Sequence, residues 1–127
     1  MLEDNETVFH GHGALFNEKE GYKYLGTFIN GQKSGNGVQT YMANNNTYEG
    51  EWLGDMKHGK GVFSYTDGSS YQGLFFKNEK ESGVLEMANG NEYAGGFKDD
   101  LFDGYSLLKY NNGDQYCGDF LNGKRNG

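Results

Sequence analysis

A five-residue phrase recurs along this chain at nearly constant spacing, and that periodicity limits the fold more than any other property. Tyr48-Glu49-Gly50-Glu51-Trp52 has counterparts beginning at Tyr24, Tyr71, Tyr93 and Tyr116, so the units advance by 24, 23, 22 and 23 residues. A glycine pair follows the first two phrases, Gly35-Asn36-Gly37 and Gly59-Lys60-Gly61. The third unit is a residue short and keeps only Gly83, while the fourth keeps Gly104 and has Ser106 where the second glycine would stand. Upstream, Gly11-His12-Gly13 is a glycine pair without its leading strand. The units are therefore a lead-in 1–10, a half unit 11–23, whole units 24–47, 48–70, 71–92 and 93–115, and a half unit 116–127. A period of this length implies one array of stacked units, each burying its apolar face only against its neighbours. Function is expected on the surface of that array.

Within a unit the pattern is that of strands. Tyr48, Gly50 and Trp52 alternate with Glu49 and Glu51, the period of a half-buried strand. The following segment puts Phe63 and Tyr65 on one face and Val62 on the other, with Val38, Val84 and Leu107 as counterparts of Val62. Asp67-Gly68, Asn89-Gly90 and Asn112-Gly113 separate the units, and such dipeptides accept positive φ and close tight hairpins. The expected fold class is all-β: a single-layer, elongated, twisted antiparallel β-meander of stacked hairpins. Gly26, Gly50, Gly73, Gly95 and Gly118 each lie between two aromatics of one strand face. They read as structural glycines that let rings lie across the strand and another backbone approach.

The pattern resembles the MORN repeat family, whose signature is Tyr-x-Gly-x-Trp/Phe, often a further glycine, then Gly-x-Gly and a turn. The resemblance runs from about Gly11 to Gly127. It departs at Asn78 to Ser82, at Ser106, and at Asp100, which stands where Gly31, Gly54 and Gly123 supply the mid-turn glycine. Differently shaped turns are expected in those middle units. The resemblance implies a module that holds partner helices, dimerises, or tethers membranes, and one that also occurs attached to lipid kinases and protein methyltransferases.

Charge and composition narrow these roles. Eighteen acidic against 11 basic residues give a net charge of −7, which disfavours phosphate-rich partners: no nucleic acid is expected, and phospholipid is disfavoured. The acidic start Met1 to Thr7 lacks the basic and apolar runs of a signal peptide, and the single Cys117 cannot close an internal disulfide. A cytoplasmic setting follows, with cytoskeletal or membrane association only through partners. No catalytic residue, metal site or cofactor is expected. His10, His12 and His58 read as turn residues, Gly59-Lys60-Gly61 as a strand entry lacking the context of a phosphate loop, and Cys117 as a thiol without the His and acid of a nucleophile.

Aromatics make up 16% of the residues, and nothing else in the chain is able to form a core. A one-layer sheet cannot cover both faces, so part of the aromatic row is expected to stay accessible. The partner-binding candidates are Tyr24, Phe28, Tyr48, Trp52, Phe63, Tyr71, Phe75, Tyr93, Phe97 and Tyr116. An aromatic trough among acidic residues suits an amphipathic helix or an extended segment with basic flanks. The half units leave edge strands with unpaired backbone groups, to be covered by more of a longer array or by a second copy in a homodimer. The chain is thus expected to be a non-catalytic scaffold, with membrane tethering and an accessory role in a longer enzyme as alternatives.

Overall fold

The alternating pattern becomes strand along almost the whole chain, in a computed structural model that describes residues 10–126. The acidic start and Gly127 lie outside the described residues. In chain order the strands are β1 (Gly11–Asn17), β2 (Tyr22–Ile29), β3 (Gln32–Tyr41), β4 (Thr47–Leu53), β5 (Met56–Ser64) and β6 (Ser70–Phe76). They continue as β7 (Glu79–Glu86), β8 (Glu92–Lys98), β9 (Leu101–Lys109), β10 (Gln115–Leu121) and β11 (Lys124–Asn126). Each strand pairs antiparallel with the next, giving one open 11-stranded meander. The all-β meander of hairpins read from the repeats is therefore what forms.

Register follows the glycines. Gly13 pairs with Gly26, Gly26 with Gly37, Gly37 with Gly50, Gly50 with Gly61, Gly61 with Gly73 and Gly73 with Gly83, so a glycine row crosses the strands. A Cβ on Gly50 would stand 2.5 Å from the Gly61 Cα, and one on Gly61 would run into the Tyr48 ring. The missing side chains admit both the neighbouring backbone and the ring above it, as the alternation led one to expect.

Two turn types close eight of the ten hairpins of the described residues, β1–β2 and β3–β4 being joined by longer loops. The turns within units each hold two consecutive positive-φ residues: Asn30-Gly31, Gly54-Asp55, Lys77-Asn78, Asp99-Asp100 and Asn122-Gly123. That is the mark of a type I′ turn. The middle units were expected to turn differently, but their turns match the others: Asn78, Asp99 and Asp100 enter the left-handed region more readily than most residues, and Lys77 is held there with them. The Asp-Gly and Asn-Gly turns between units differ from a two-residue hairpin. Of each pair only Gly68, Gly90 and Gly113 have positive φ. Gly68 N–H donates to the Tyr65 carbonyl at 3.1 Å and Tyr65 N–H to the Ser69 carbonyl at 2.9 Å, so the loop has three residues with glycine as its left-handed last member.

Candidate functional site

The sheet presents two unlike faces. On one, the rings form a continuous edge-to-face chain. Tyr24 meets Phe28 of its own unit at 5.1 Å and Trp52 of the next at 5.4 Å between centroids. Tyr48 repeats this with Trp52 (5.1 Å) and Phe75 (5.0 Å), and Tyr71 with Phe75 (5.2 Å) and Phe97 (5.4 Å). Tyr93 continues it with Phe97 and Phe120 at 5.2 and 5.3 Å, and Tyr116 meets Phe120 at 5.3 Å. Edge-to-face pairs of this kind add about 0.5–1.5 kcal/mol each beyond the area they bury.

Each ring is also fixed at its far end. The hydroxyl of the leading tyrosine donates to the carbonyl three residues on: Tyr24 to Thr27 (2.9 Å), Tyr48 to Glu51 (2.8 Å), Tyr71 to Leu74 (2.8 Å), Tyr93 to Gly96 (2.6 Å) and Tyr116 to Asp119 (3.0 Å). In four units the strand register shifts at this point, between Gly26 and Phe28, Gly50 and Trp52, Leu74 and Phe75, and Ala94 and Gly96. The interrupted ladder makes a carbonyl available to the phenol. Trp52 Nε1–H donates to the Gly37 carbonyl at 3.2 Å. Ser106, which replaces a glycine, lies 2.8 Å from the Tyr93 hydroxyl by its Oγ.

This packing closes the row. Tyr24, Phe28, Tyr48, Trp52, Tyr71, Phe75 and Tyr93 are buried, so they do not form the accessible trough expected of them, whereas Phe63, Phe97 and Tyr116 are half-buried. The reason is geometric: each tyrosine stands between two rings, and its glycine neighbours let it lie flat.

Lysines recur on this face, a feature the spacing held but the aromatic reading passed over. Lys33, Lys57 and Lys80 each follow a leading tyrosine by nine residues and pair across the ladder with Phe28, Trp52 and Phe75. Lys33 is only 5% exposed; its Nζ donates to Gln39 Oε1 at 2.8 Å and sits 4.2 Å from the Tyr22 and 4.6 Å from the Trp52 ring centroid. Lys57 Nζ donates to the Tyr41 hydroxyl at 3.2 Å. Burial holds both ammoniums below the ordinary lysine range, and Lys80 lowers Lys57 further. Lys80 is held above that range because Tyr65 and Asp100, the latter at 3.2 Å, outweigh burial. In the fourth unit Phe102 takes the lysine's place and stacks on Tyr93 at 3.8 Å.

The open concavity lies on the opposite face. A groove of about 1020 Å³ runs across β1 to β7, lined by Leu25, Val38, Val62, Leu74 and Val84 with the glycine backbones among them, and by the polar Asn36, Glu49, Lys60 and Gln72. Its central row follows the register: Leu25 pairs with Val38, Val38 with Glu49, Glu49 with Val62, Val62 with Gln72, and Gln72 with Val84. Alternation had set these valines opposite the rings, and that was the signal for the groove; its depth needed the whole sheet. Along one sheet margin stand Ile29 (51% exposed), Leu53 (55%) and Phe76 (51%), each five residues after a leading tyrosine, and Leu121 (54%) holds the same position further along, beyond the groove.

The remaining candidates are structural in their contacts. His10 and His58 each accept, through Nδ1, a turn N–H, from Asn30 at 3.3 Å and Lys77 at 3.4 Å, while His12 lines the groove. Cys117 is exposed, and its Sγ–H donates to the Tyr105 hydroxyl at 3.3 Å.

In comparison with known families, a family model described as MORN repeat fits residues 24–45, 48–70, 93–115 and 116–127. The intervening unit, whose glycine pair is incomplete, carries the β6–β7 hairpin in the same register. MORN repeats are known in protein-binding and membrane-associated modules.

Proposed function

Because the chain belongs to the MORN repeat family, we propose that it is a non-catalytic scaffold whose groove face grips a protein segment, an amphipathic helix with basic flanks. The observation that carries this reading is the open row Leu25, Val38, Glu49, Val62, Gln72 and Val84, apolar except for one carboxylate and one amide. An apolar helix stripe covers the aliphatic positions, and a basic residue beside it meets Glu49. Alternation leaves Glu51, Glu86 and Asp119 on the same face, which supports basic flanks there, while Lys60 at the groove and Lys109 opposite Glu92 add positions for acidic ones. The groove replaces the aromatic row as the partner-facing surface because its side chains are not spent on one another. A cytoplasmic setting, with cytoskeletal or membrane association through such partners, goes with this reading.

The test is a titration with a Leu/Lys amphipathic helical peptide of about 20 residues. Val62→Glu should weaken binding by about tenfold or more with an unchanged circular dichroism spectrum. Equal affinity in the variant would sink the groove as the site. A second reading, contact with a lipid surface, is supported by the exposed apolar side chains of Ile29, Leu53 and Phe76. Sedimentation with neutral phosphatidylcholine vesicles that persists in high salt would favour it, since apolar insertion is insensitive to screening.

A further inference from the structure

Of the three lysines on the ring face, Lys57 differs from its neighbours in its surroundings. Lys33 is 5% exposed and donates to Gln39 at 2.8 Å, and Lys80 forms a salt bridge with Asp100 at 3.2 Å. Lys57 is half-buried, and among the described residues no carboxylate lies within salt-bridge distance of it. Its Nζ stands 3.2 Å from the Tyr41 hydroxyl and within 5.8 Å of the ring centroids of Tyr41, Tyr48 and Phe63. The charged groups that bear on it are Lys33 of β3, Lys80 of β7 and Asp100 of the β8–β9 turn. Burial disfavours its ammonium form first, and Lys80 adds to that more than Asp100 offsets. A lysine placed among rings and other cations is costly as an ammonium and available as a nucleophilic amine.

We propose that Lys57 Nζ is an acceptor for carbon dioxide and forms a carbamate in this ring-lined hollow. The unprotonated nitrogen attacks the carbon of carbon dioxide, the C–N bond forms as one carbon–oxygen π pair moves onto oxygen, and the nitrogen then gives up a proton to solvent. Nothing is oxidised or reduced, and no further reactant is needed. The reactant is small, uncharged and apolar, so it passes between the rings without a preformed pocket. The Tyr41 hydroxyl, which accepts from the ammonium, turns to donate to a carbamate oxygen. The product carries a negative charge where the ammonium carried a positive one, so repulsion from Lys33 and Lys80 becomes attraction. Partial burial strengthens that attraction and the hydrogen bond relative to open water. A free-standing lysine is held by water as ammonium at neutral pH and has no lone pair to offer. Lys23, Lys60, Lys98 and Lys109, exposed on the groove face, are therefore the internal comparison. The site lies on the opposite side of the sheet from the groove and does not depend on what the groove binds.

The test uses the unaltered protein, equilibrated with carbon dioxide in neutral bicarbonate buffer. Triethyloxonium ion fixes carbamates as ethyl esters, which proteolysis and mass spectrometry then locate. Lys57 should carry the ester at least about tenfold more than any of the four comparison lysines, and the added mass should follow isotope-labelled carbon dioxide. An ester spread evenly over the lysines, one missing from Lys57, or one whose mass ignores the label would overturn the proposal. In NMR with labelled carbon dioxide, the carbamate signal should vanish in Lys57→Arg. It should fall about fivefold in Tyr41→Phe, which keeps the ring and loses one hydrogen bond. A full signal in Lys57→Arg would put the carbamate on another amine and reject the site. A full signal in Tyr41→Phe would reject the part given to the hydroxyl. The ester map is read on the unaltered chain and stands whatever the folding of the variants.

Discussion

Tyrosine rather than phenylalanine heads each unit because both parts of the side chain are used: the ring packs between two others, and the hydroxyl closes onto a carbonyl left by the shifted register. Removing that hydroxyl in Tyr71→Phe keeps the ring and strands the Leu74 carbonyl that accepts it at 2.8 Å. The expected cost is about 1 kcal/mol in urea unfolding at neutral pH. The same phenol sets an alkaline limit. Burial pushes Tyr71 up to about 12 from the ordinary 10.0, and burial raises Tyr48 as well. A raised folded-state pKa means stability that is whole below about pH 10 and is lost as pH climbs through the folded value. Unfolding free energy should therefore fall between pH 10 and 12, and by less in Tyr71→Phe than in the parent. An unchanged slope in the variant would mean that another group governs the alkaline loss. Of all this, the alternation made the rings legible as core. The carbonyl partner was not legible, because it depends on a register shift that exists only once two strands are paired.

At the scale of the hairpin, type I′ turns are held by their sequence and by the unit before them. Asp55 accepts Lys33 N–H at 2.8 Å through Oδ1 while its own N–H donates to the Lys33 carbonyl at 3.0 Å, and Asn78 repeats both bonds with Lys57. At Asp55 and Asn78 the second turn residue is thus a staple between units as well as a turn former, a role that the side chain of Asp or Asn adds over glycine. Lys77 has no such duty and sits at φ 48° with a side chain that disfavours it. Lys77→Gly should stabilise the chain by about 0.5–1 kcal/mol, the cost of holding an ordinary residue left-handed less the added freedom of the unfolded chain. A loss of stability in thermal unfolding would show that the lysine's own contact with Phe76, at 5.4 Å, outweighs the backbone strain. The Asn-Gly and Asp-Gly dipeptides marked where units join, but they suit both a two-residue and a three-residue loop. Only the strand register chooses between these.

Across the described residues, cohesion is nearest-neighbour: from Tyr24 onward the edge-to-face chain links each unit to the next through one ring, and among these residues no second layer supports it. Trp52 is such a link, touching Tyr24 in the unit before and Tyr48 in its own. The period made this architecture legible, since a repeat that buries its face only by stacking has to be coupled this way. It could not tell which face is spent on stacking and which is left for a partner: aromatic and aliphatic rows alternate equally well on paper, and only packed rings with lysines beneath them reveal the closed side. Trp52→Ala removes a buried ring and an indole donor, a loss of about 3–5 kcal/mol if the site does not collapse. In a nearest-neighbour array that loss stays local. Native-state hydrogen exchange should show reduced protection in β2 to β5, where Trp52 joins two units. Protection should persist in β8 to β10, held by the Tyr93 contacts with Phe97, Phe102 and Phe120. A uniform loss from β1 to β10 would mean that the sheet unfolds as one cooperative body, and that the glycine-row backbone ladder, rather than the ring chain, couples the units.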